Sequence, residues 1–155
     1  MRILLGTDGS DDAVAAAVRA ISLLAPADII TLVCVVEVPA AATAGLESGF
    51  SGGVASPDQV DAAWDEAHSE AGRALDRTAA AIVGLIGDGP TVESRAEHGA
   101  PGPELCRLAE DLSADVVAVG SRGRGAIRRA LLGSVSTHVV NNAPCAVMVI
   151  RSGSD

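Results

Sequence analysis

The sequence predicts an α/β fold: one domain built on an open five-stranded parallel sheet with helices on both faces. Three observations carry that expectation. Short apolar runs alternate with segments of helical apolar spacing, and such alternation implies parallel strands joined by crossover helices. The hydrophobic fraction is 48%, yet Phe50 and Trp64 are the only aromatic residues, so the core is aliphatic, as suits helices packed on a Val/Ile/Leu sheet. The run Ile29 to Val38 is nearly continuous in aliphatic and β-branched residues, the composition of a strand covered on both faces.

The elements follow in order. Ile3-Leu4-Leu5 forms a first strand that turns at Gly6-Thr7-Asp8-Gly9-Ser10. Ser10 is the expected N-cap of a helix reaching Leu24, with Asp11 and Asp12 at its positive end. Val14, Ala17, Val18, Ile21 and Leu24 share one face of that helix. Ile29 to Val38 is the second strand. Residues 39–55, rich in Ala, Gly and Ser, have little to bury and are predicted to form a mobile loop within the domain. Ser56-Pro57-Asp58-Gln59 carries a helix-start signature: Ser at the cap, Pro at the first position and Gln three after the cap. That helix is expected to run to Ile86 and stop at Gly87-Asp88-Gly89-Pro90. Thr91 to Glu97 alternates as a strand. Gly102 to Leu112 is a helix with Leu105, Leu108, Ala109 and Leu112 on one face. Asp115 to Val119 is a strand, Ser134 to Asn142 a helix, and Ala146 to Ile150 the last strand.

With 155 residues, one domain spanning 1–155 is the default, and it can bury about 68–70% of its unfolded surface without a staple. The formal charge is −9 and all eleven basic residues are Arg. The absence of Lys excludes any mechanism that needs a lysine amine. Residues 1–115 carry six Arg against nineteen acids, a formal −13 (6 − 19), and no acid occurs from Val116 to Ser154. Such a balance argues against general nucleic-acid binding, which wants a basic face. Cys34, Cys106 and Cys145 are scattered, and buried reduced thiols are the expected reading, in a reducing compartment. No apolar stretch reaches the 18 residues of a membrane span, and the opening apolar run is too short for a signal peptide. A cytoplasmic protein with no membrane contact is expected.

The exceptional stretch is Gly120 to Ser136, GSRGRGAIRRALLGSVS. Gly120 and Gly123 follow an apolar strand, Gly133 and Ser134 come after nine further residues, and Arg122, Arg124, Arg128 and Arg129 fall between. Glycines admit a ligand close to backbone, and the free N–H groups at a helix start attract anions. The segment reads as a phosphate site built mostly from main chain, with Ser134 capping the helix that receives the phosphate. In an open parallel sheet, ligands bind at the carboxyl ends of strands where the winding reverses. The loops 6–10 and 120–125 are candidates to face one another across such a crevice.

The pattern G-x2-G-x9-G-S at Gly120, Gly123, Gly133 and Ser134 resembles the nucleotide-binding signature of the universal stress protein family. The resemblance extends to ILLGTDGS, TLVCVVEV, the EHGAPGPELCRLAEDLSADVVAVGSRGRG segment, LLGSVSTHVV and APCAVMVIR. It implies a Rossmann-like fold that binds ATP, with Mg. It also implies roles by residue. Thr7 and Asp8 lie beside adenine and ribose, and Val35 lines the adenine pocket. Gly120, Arg122 and Gly123 follow the ribose and first phosphates. Gly133, Ser134, Val135 and Ser136 offer N–H and hydroxyl groups to the outer phosphates. Two departures stand out: Thr7 occupies a position where many members have valine, and PCAVMVI replaces the more usual Cys-Pro-Val. In the family the last strand lies at a sheet edge. An apolar edge without charge or Pro invites pairing with another chain, so a homodimer through Ala146 to Ile150 is expected.

Other motifs weigh less. Gly49-Phe50-Ser51-Gly52-Gly53 matches GxSxG, but the strand-turn-helix context of a nucleophile elbow is missing. A Walker A loop and a phosphate-accepting receiver site both need a lysine. The loop after Asp8 lacks the glycine and glutamate of a calcium loop. His68, His98 and His138 have no ligand spacing. His68 is read as solvated, and His98, at a strand's carboxyl end, is a candidate for the crevice. The functional expectation is an ATP-binding stress-response regulator or sensor acting with a protein partner of unstated kind, not an enzyme. A slow ATPase or phosphotransferase and a nucleotide-free interaction module are the alternatives.

Overall fold

The computed structural model describes residues 1–24, 26–40, 56–87, 89–123 and 132–151. Five strands and four helices alternate among them: β1 (Arg2–Gly6), α1 (Asp11–Leu24), β2 (Ile29–Val36), α2 (Pro57–Ile86), β3 (Thr91–His98), α3 (Pro101–Asp111), β4 (Val116–Gly120), α4 (Ser134–Asn142) and β5 (Ala146–Ile150). All pairings are parallel and the strand order is β3-β2-β1-β4-β5. The chain winds outward from β1 to β3, then returns through α3 to lay β4 on the other side of β1. The winding reverses between β1 and β4, the position where open α/β sheets bind ligands.

Strand alternation sorts the core into two layers. Ile3, Leu5, Ile30, Leu32, Val116 and Ala118 face α1 and α2, whose Ala16, Ala17, Ala20, Ile21, Leu75 and Ile82 cover them. Leu4, Val33, Val117 and Val119 face α3 and α4, meeting Leu105, Leu108, Ala109 and Val139. Each fully buried Leu, Ile or Val stabilises by about 1.5–3 kcal/mol, so a core without aromatics suffices. Close helix approach has a steric basis too: a Cβ at Gly102 in α3 would lie 2.7 Å from His138 Cβ in α4.

Local start signals operate as the sequence predicts. Ser10 Oγ accepts the N–H of Ala13 at 3.2 Å, capping α1. Ser56 and Gln59 form a complete capping box at α2, with Pro57 inside the first turn. Pro101 opens α3 and extends it one residue before the predicted start. The thiols are not uniformly buried: Cys34 is, while Cys106 and Cys145 are half-buried. Burial still pushes both of the latter up from the ordinary thiol value, with the charge of Cys145 adding to the effect on Cys106.

The two sheet edges differ in chemistry. β3 carries Glu93, Arg95 and Glu97, charges that blunt an edge. β5 is AVMVI, with its three central residues half-buried and no charge. Segment 41–55 lies outside the described residues, and so does the GxSxG match within it.

Candidate functional site

The β1–α1 loop is held to α2 through a chain of hydrogen bonds. Thr7 N–H donates to Val33 O at 2.9 Å, extending the β1–β2 ladder. Thr78 Oγ1 donates to Ala74 O at 2.8 Å, so at 2.9 Å it accepts from the Thr7 hydroxyl. Thr7 Oγ1 in turn accepts the Gly9 N–H at 3.1 Å. The Thr7 hydroxyl is therefore committed to the protein. Gly9 takes φ +73°, and a Cβ there would stand 2.6 Å from Ala74 Cβ. Arg77 of α2 donates to Gly9 O at 3.0 Å and pairs with Asp11. These bonds position Asp8, whose Oδ1 accepts from Ser10 N–H at 3.0 Å and from Ser10 Oγ at 2.6 Å.

The second loop leaves β4 at Gly120. Ser121 N–H donates to Ile150 O at 2.7 Å, and Ser121 O accepts the Gly133 N–H at 2.8 Å. The same carbonyl accepts from Ser136 Oγ at 3.2 Å. Ser121, unmarked by the motif, thus ties both glycine ends of G-x2-G-x9-G-S together. A Cβ at Gly133 would lie 3.4 Å from Ser121 O, and one at Gly120 would lie 3.2 Å from Arg122 O. The glycines are where the backbone folds onto itself.

Gly133, not Ser134, is the N-cap of α4, in extended backbone and with no side-chain cap; Ser134 is the first helical residue. The helix spans the predicted residues, but the serine cap is a correction: Gly133 O accepts the first helical bond, from Thr137 N–H at 2.9 Å, so Gly133 takes the cap position while its own N–H is held by Ser121 O. Ser136 also departs from expectation. It is 1% exposed, and its hydroxyl is turned inward to Ser121 O and to Gly133 O, the latter at 3.1 Å. First-turn N–H groups have no intrahelical acceptor, and no acidic residue occupies the first turn of α4. Its donors point out at the positive end of the helix.

The two loops and the end of β2 enclose a cleft of about 580 Å³. Thr7, Asp8, Val35, Gly120, Arg122, Gly123, Gly133, Ser134, Val135 and Ser136 all line it. The loops meet at Gly123, where a Cβ would lie 3.3 Å from Asp8 Oδ2. Arg122 reaches Asp12 at 3.7 Å. Arg124, Arg128 and Arg129 lie outside the described residues.

One wall of the cleft carries no sequence motif. Ala67, Glu70 and Ala71 of α2 and Glu37 beyond β2 also line the cleft. The spacing 67, 70, 71 is the i, i+3, i+4 pattern of one helix face, and small residues in it were the available signal. The cleft is polarised: glutamates stand on the β2–α2 side, and Arg122 and the start of α4 on the other. His98 is not among its lining residues. It meets His68 instead, Nε2 to Nε2 at 3.2 Å.

Comparison with known proteins is consistent with this geometry. A stretch of 62 residues is 40% identical to a putative universal stress protein of Staphylococcus aureus, 39% of this chain and 37% of that one. The chain thus spans 37% of the length of the curated relatives it matches. Among solved structures, universal stress protein UspA of Lactobacillus plantarum superposes with a TM-score of 0.67 at 24% identity, over 97% of each chain. A universal stress protein in complex with cAMP superposes with a TM-score of 0.61 at 25% identity, over 99% of this chain and 98% of the other. The universal stress protein family model matches residues 1–151. The chain belongs to the universal stress protein family.

Proposed function

We propose that this protein binds an adenine nucleotide, ATP with its Mg²⁺, in the cleft between the β1 and β4 loops, and that occupancy biases its conformation or its affinity for a protein partner in a stress response. One observation carries the reading: every residue of the glycine motif that is described lies on one cleft with Asp8 and Val35. The residues fit the ligand. Glycines at 120, 123 and 133 permit the tight turns that line the cleft, since Cβ atoms there would crowd Arg122 O, Asp8 Oδ2 and Ser121 O, and the uncapped first turn of α4 supplies N–H donors for phosphate. Val35 offers an apolar surface to the base. Asp8 can accept from a ribose hydroxyl. Glu37 and Glu70 disfavour phosphates at the β2–α2 end, which orients the nucleotide. Mg²⁺ would arrive largely on the phosphates, as this ion usually does, and would neutralise their charge.

The reading is regulation by occupancy, not turnover. The phosphate end is lined by main-chain donors, and the chain has no Lys. An apolar β5 edge supports a homodimer, and the free cysteines support a cytoplasmic setting.

Calorimetry with ATP, ADP, AMP and cyclic AMP, with and without Mg²⁺, tests the reading. ATP binding that is lost in Gly133→Ala supports it; no binding of any nucleotide leaves an interaction module. A second reading has its own support, since a related fold binds cAMP. Preference for cyclic AMP would replace the triphosphate placement, and steady-state ATP turnover abolished by Gly123→Val would make the protein an enzyme.

A further inference from the structure

Outside the cleft, the topology brings Trp64 and His68 of α2 against His98 at the end of β3. His68 Nδ1 lies 2.7 Å from Trp64 O. A carbonyl can only accept, so Nδ1 carries a proton and Nε2 of the neutral ring keeps its lone pair. A backbone carbonyl on the far ring nitrogen is the arrangement that orients metal-ligating histidines.

His68 Nε2 and His98 Nε2 are 3.2 Å apart, with ring centroids 4.8 Å apart and planes inclined at 56°. Two imidazoles that ligate one ion at ~2.05 Å with a tetrahedral angle have nitrogens ~3.3 Å and centroids ~5 Å apart. A straight N–H···N bond at the same nitrogen separation would hold the centroids about 5.5 Å apart. The observed centroid separation is well short of the straight-bond value and close to that of two rings directed at one ion. Both histidines are exposed, so an ion has a path in, and the net charge of −9 favours a cation.

We propose that His68 and His98 form a site for a borderline divalent transition metal, Cu²⁺, Ni²⁺ or Zn²⁺, with solvent completing the coordination. Neutral imidazole suits these ions and not Mg²⁺. The ion bridges α2 to β3 and replaces the single proton the two nitrogens can share. The site is independent of the nucleotide reading.

The chain supplies its own reporter. Trp64 is the sole tryptophan, and its ring centroid lies 5.9 Å from that of His68 and 5.6 Å from that of His98. Chelator-treated full-length protein without nucleotide is titrated with Cu²⁺ while Trp64 fluorescence is read. Saturable quenching at one equivalent is expected, reversed by excess Zn²⁺ or by chelator. His68→Ala and His98→Ala should each weaken it about tenfold or more, on the scale of lost ligand support, and His138→Ala should leave it unchanged. Proton NMR with Zn²⁺ gives a second measurement that needs no variant: two histidine Cε1–H resonances should shift and the third should not. Quenching that never saturates, survives both substitutions, or accompanies equal shifts of all three histidines overturns the proposal.

Discussion

Asp8 and Gly123 meet across the switch point, so closely that a Cβ at 123 would stand 3.3 Å from Asp8 Oδ2. One residue lies in the loop after β1 and the other in the loop after β4, and these strands are direct neighbours in register from Ile3–Val116 to Gly6–Val119. Their connections leave to opposite faces of the sheet, α1 to one and α4 to the other, which opens a crevice between the two loops. The contact couples the carboxylate that would hold the sugar to the glycine that would admit the phosphates.

Gly123→Val tests that contact. The added methyls must push Asp8 aside or enter the cleft. Calorimetry should show nucleotide affinity falling at least tenfold, about 1.4 kcal/mol or more. Thermal unfolding by circular dichroism should move little, because the site lies at the rim of the sheet.

Two further glycines should respond with opposite signs. Gly9 has positive φ, and a Cβ there would stand 2.6 Å from Ala74 Cβ, so Gly9→Ala should cost about 1–3 kcal/mol through overpacking and strain. Gly72, inside α2, has nothing within 4 Å of its Cβ position, and Gly72→Ala should stabilise by roughly 0.5–1 kcal/mol through helix propensity. Urea unfolding of both variants reads the contrast; equal shifts would refute the steric account.

The β5 edge makes an association prediction. Light scattering after size exclusion should give a dimer at micromolar concentration, and Val149→Lys should shift it to monomer by placing charge on the pairing edge. A wild-type monomer under those conditions rejects the dimer.

Thiol reactivity should follow the environment of Cys106 and Cys145. Burial raises both thiols above their ordinary value, so at pH 7 to 8 less thiolate is present in the folded protein than in the denatured one. Iodoacetamide should alkylate these cysteines more slowly in the native state, and the difference should narrow as pH climbs through the raised values. Peptide mass spectrometry across pH checks this; native rates equal to denatured rates at neutral pH contradict it.

The elements were legible because their signals are local. The capping box at Ser56 and Gln59, the alternation of β3 and the aliphatic run of β2 each act within a few residues, and the structure follows them to within a residue or two. The glycine motif was legible for the same reason: its members lie on one loop and one helix start. Ser134 reads as a cap from its residue type, yet the first helical bond goes to Gly133 O, and Gly133 itself is held by Ser121 O, a contact outside any local helix-start signal. Thr7 reads as a pocket residue in sequence, yet its hydroxyl is consumed by Thr78, 71 positions away.

The order of elements, the parallel α/β class, the aliphatic core and the glycine and serine positions of the candidate site are written in the amino-acid order. Periodicity, capping and backbone freedom are short-range properties, readable one segment at a time. Which segments touch, and through which atoms, follows from the packed fold. It set Ala67, Glu70 and Ala71 as the far wall of the cleft, Asp8 against Gly123, and His68 against His98 across 30 residues. The far wall and the histidine pair depend on how α2 settles over β2 and β3, set by burial of its apolar face against the sheet, and Asp8 meets Gly123 because β1 and β4 pair; both are long-range choices that local spacing does not fix.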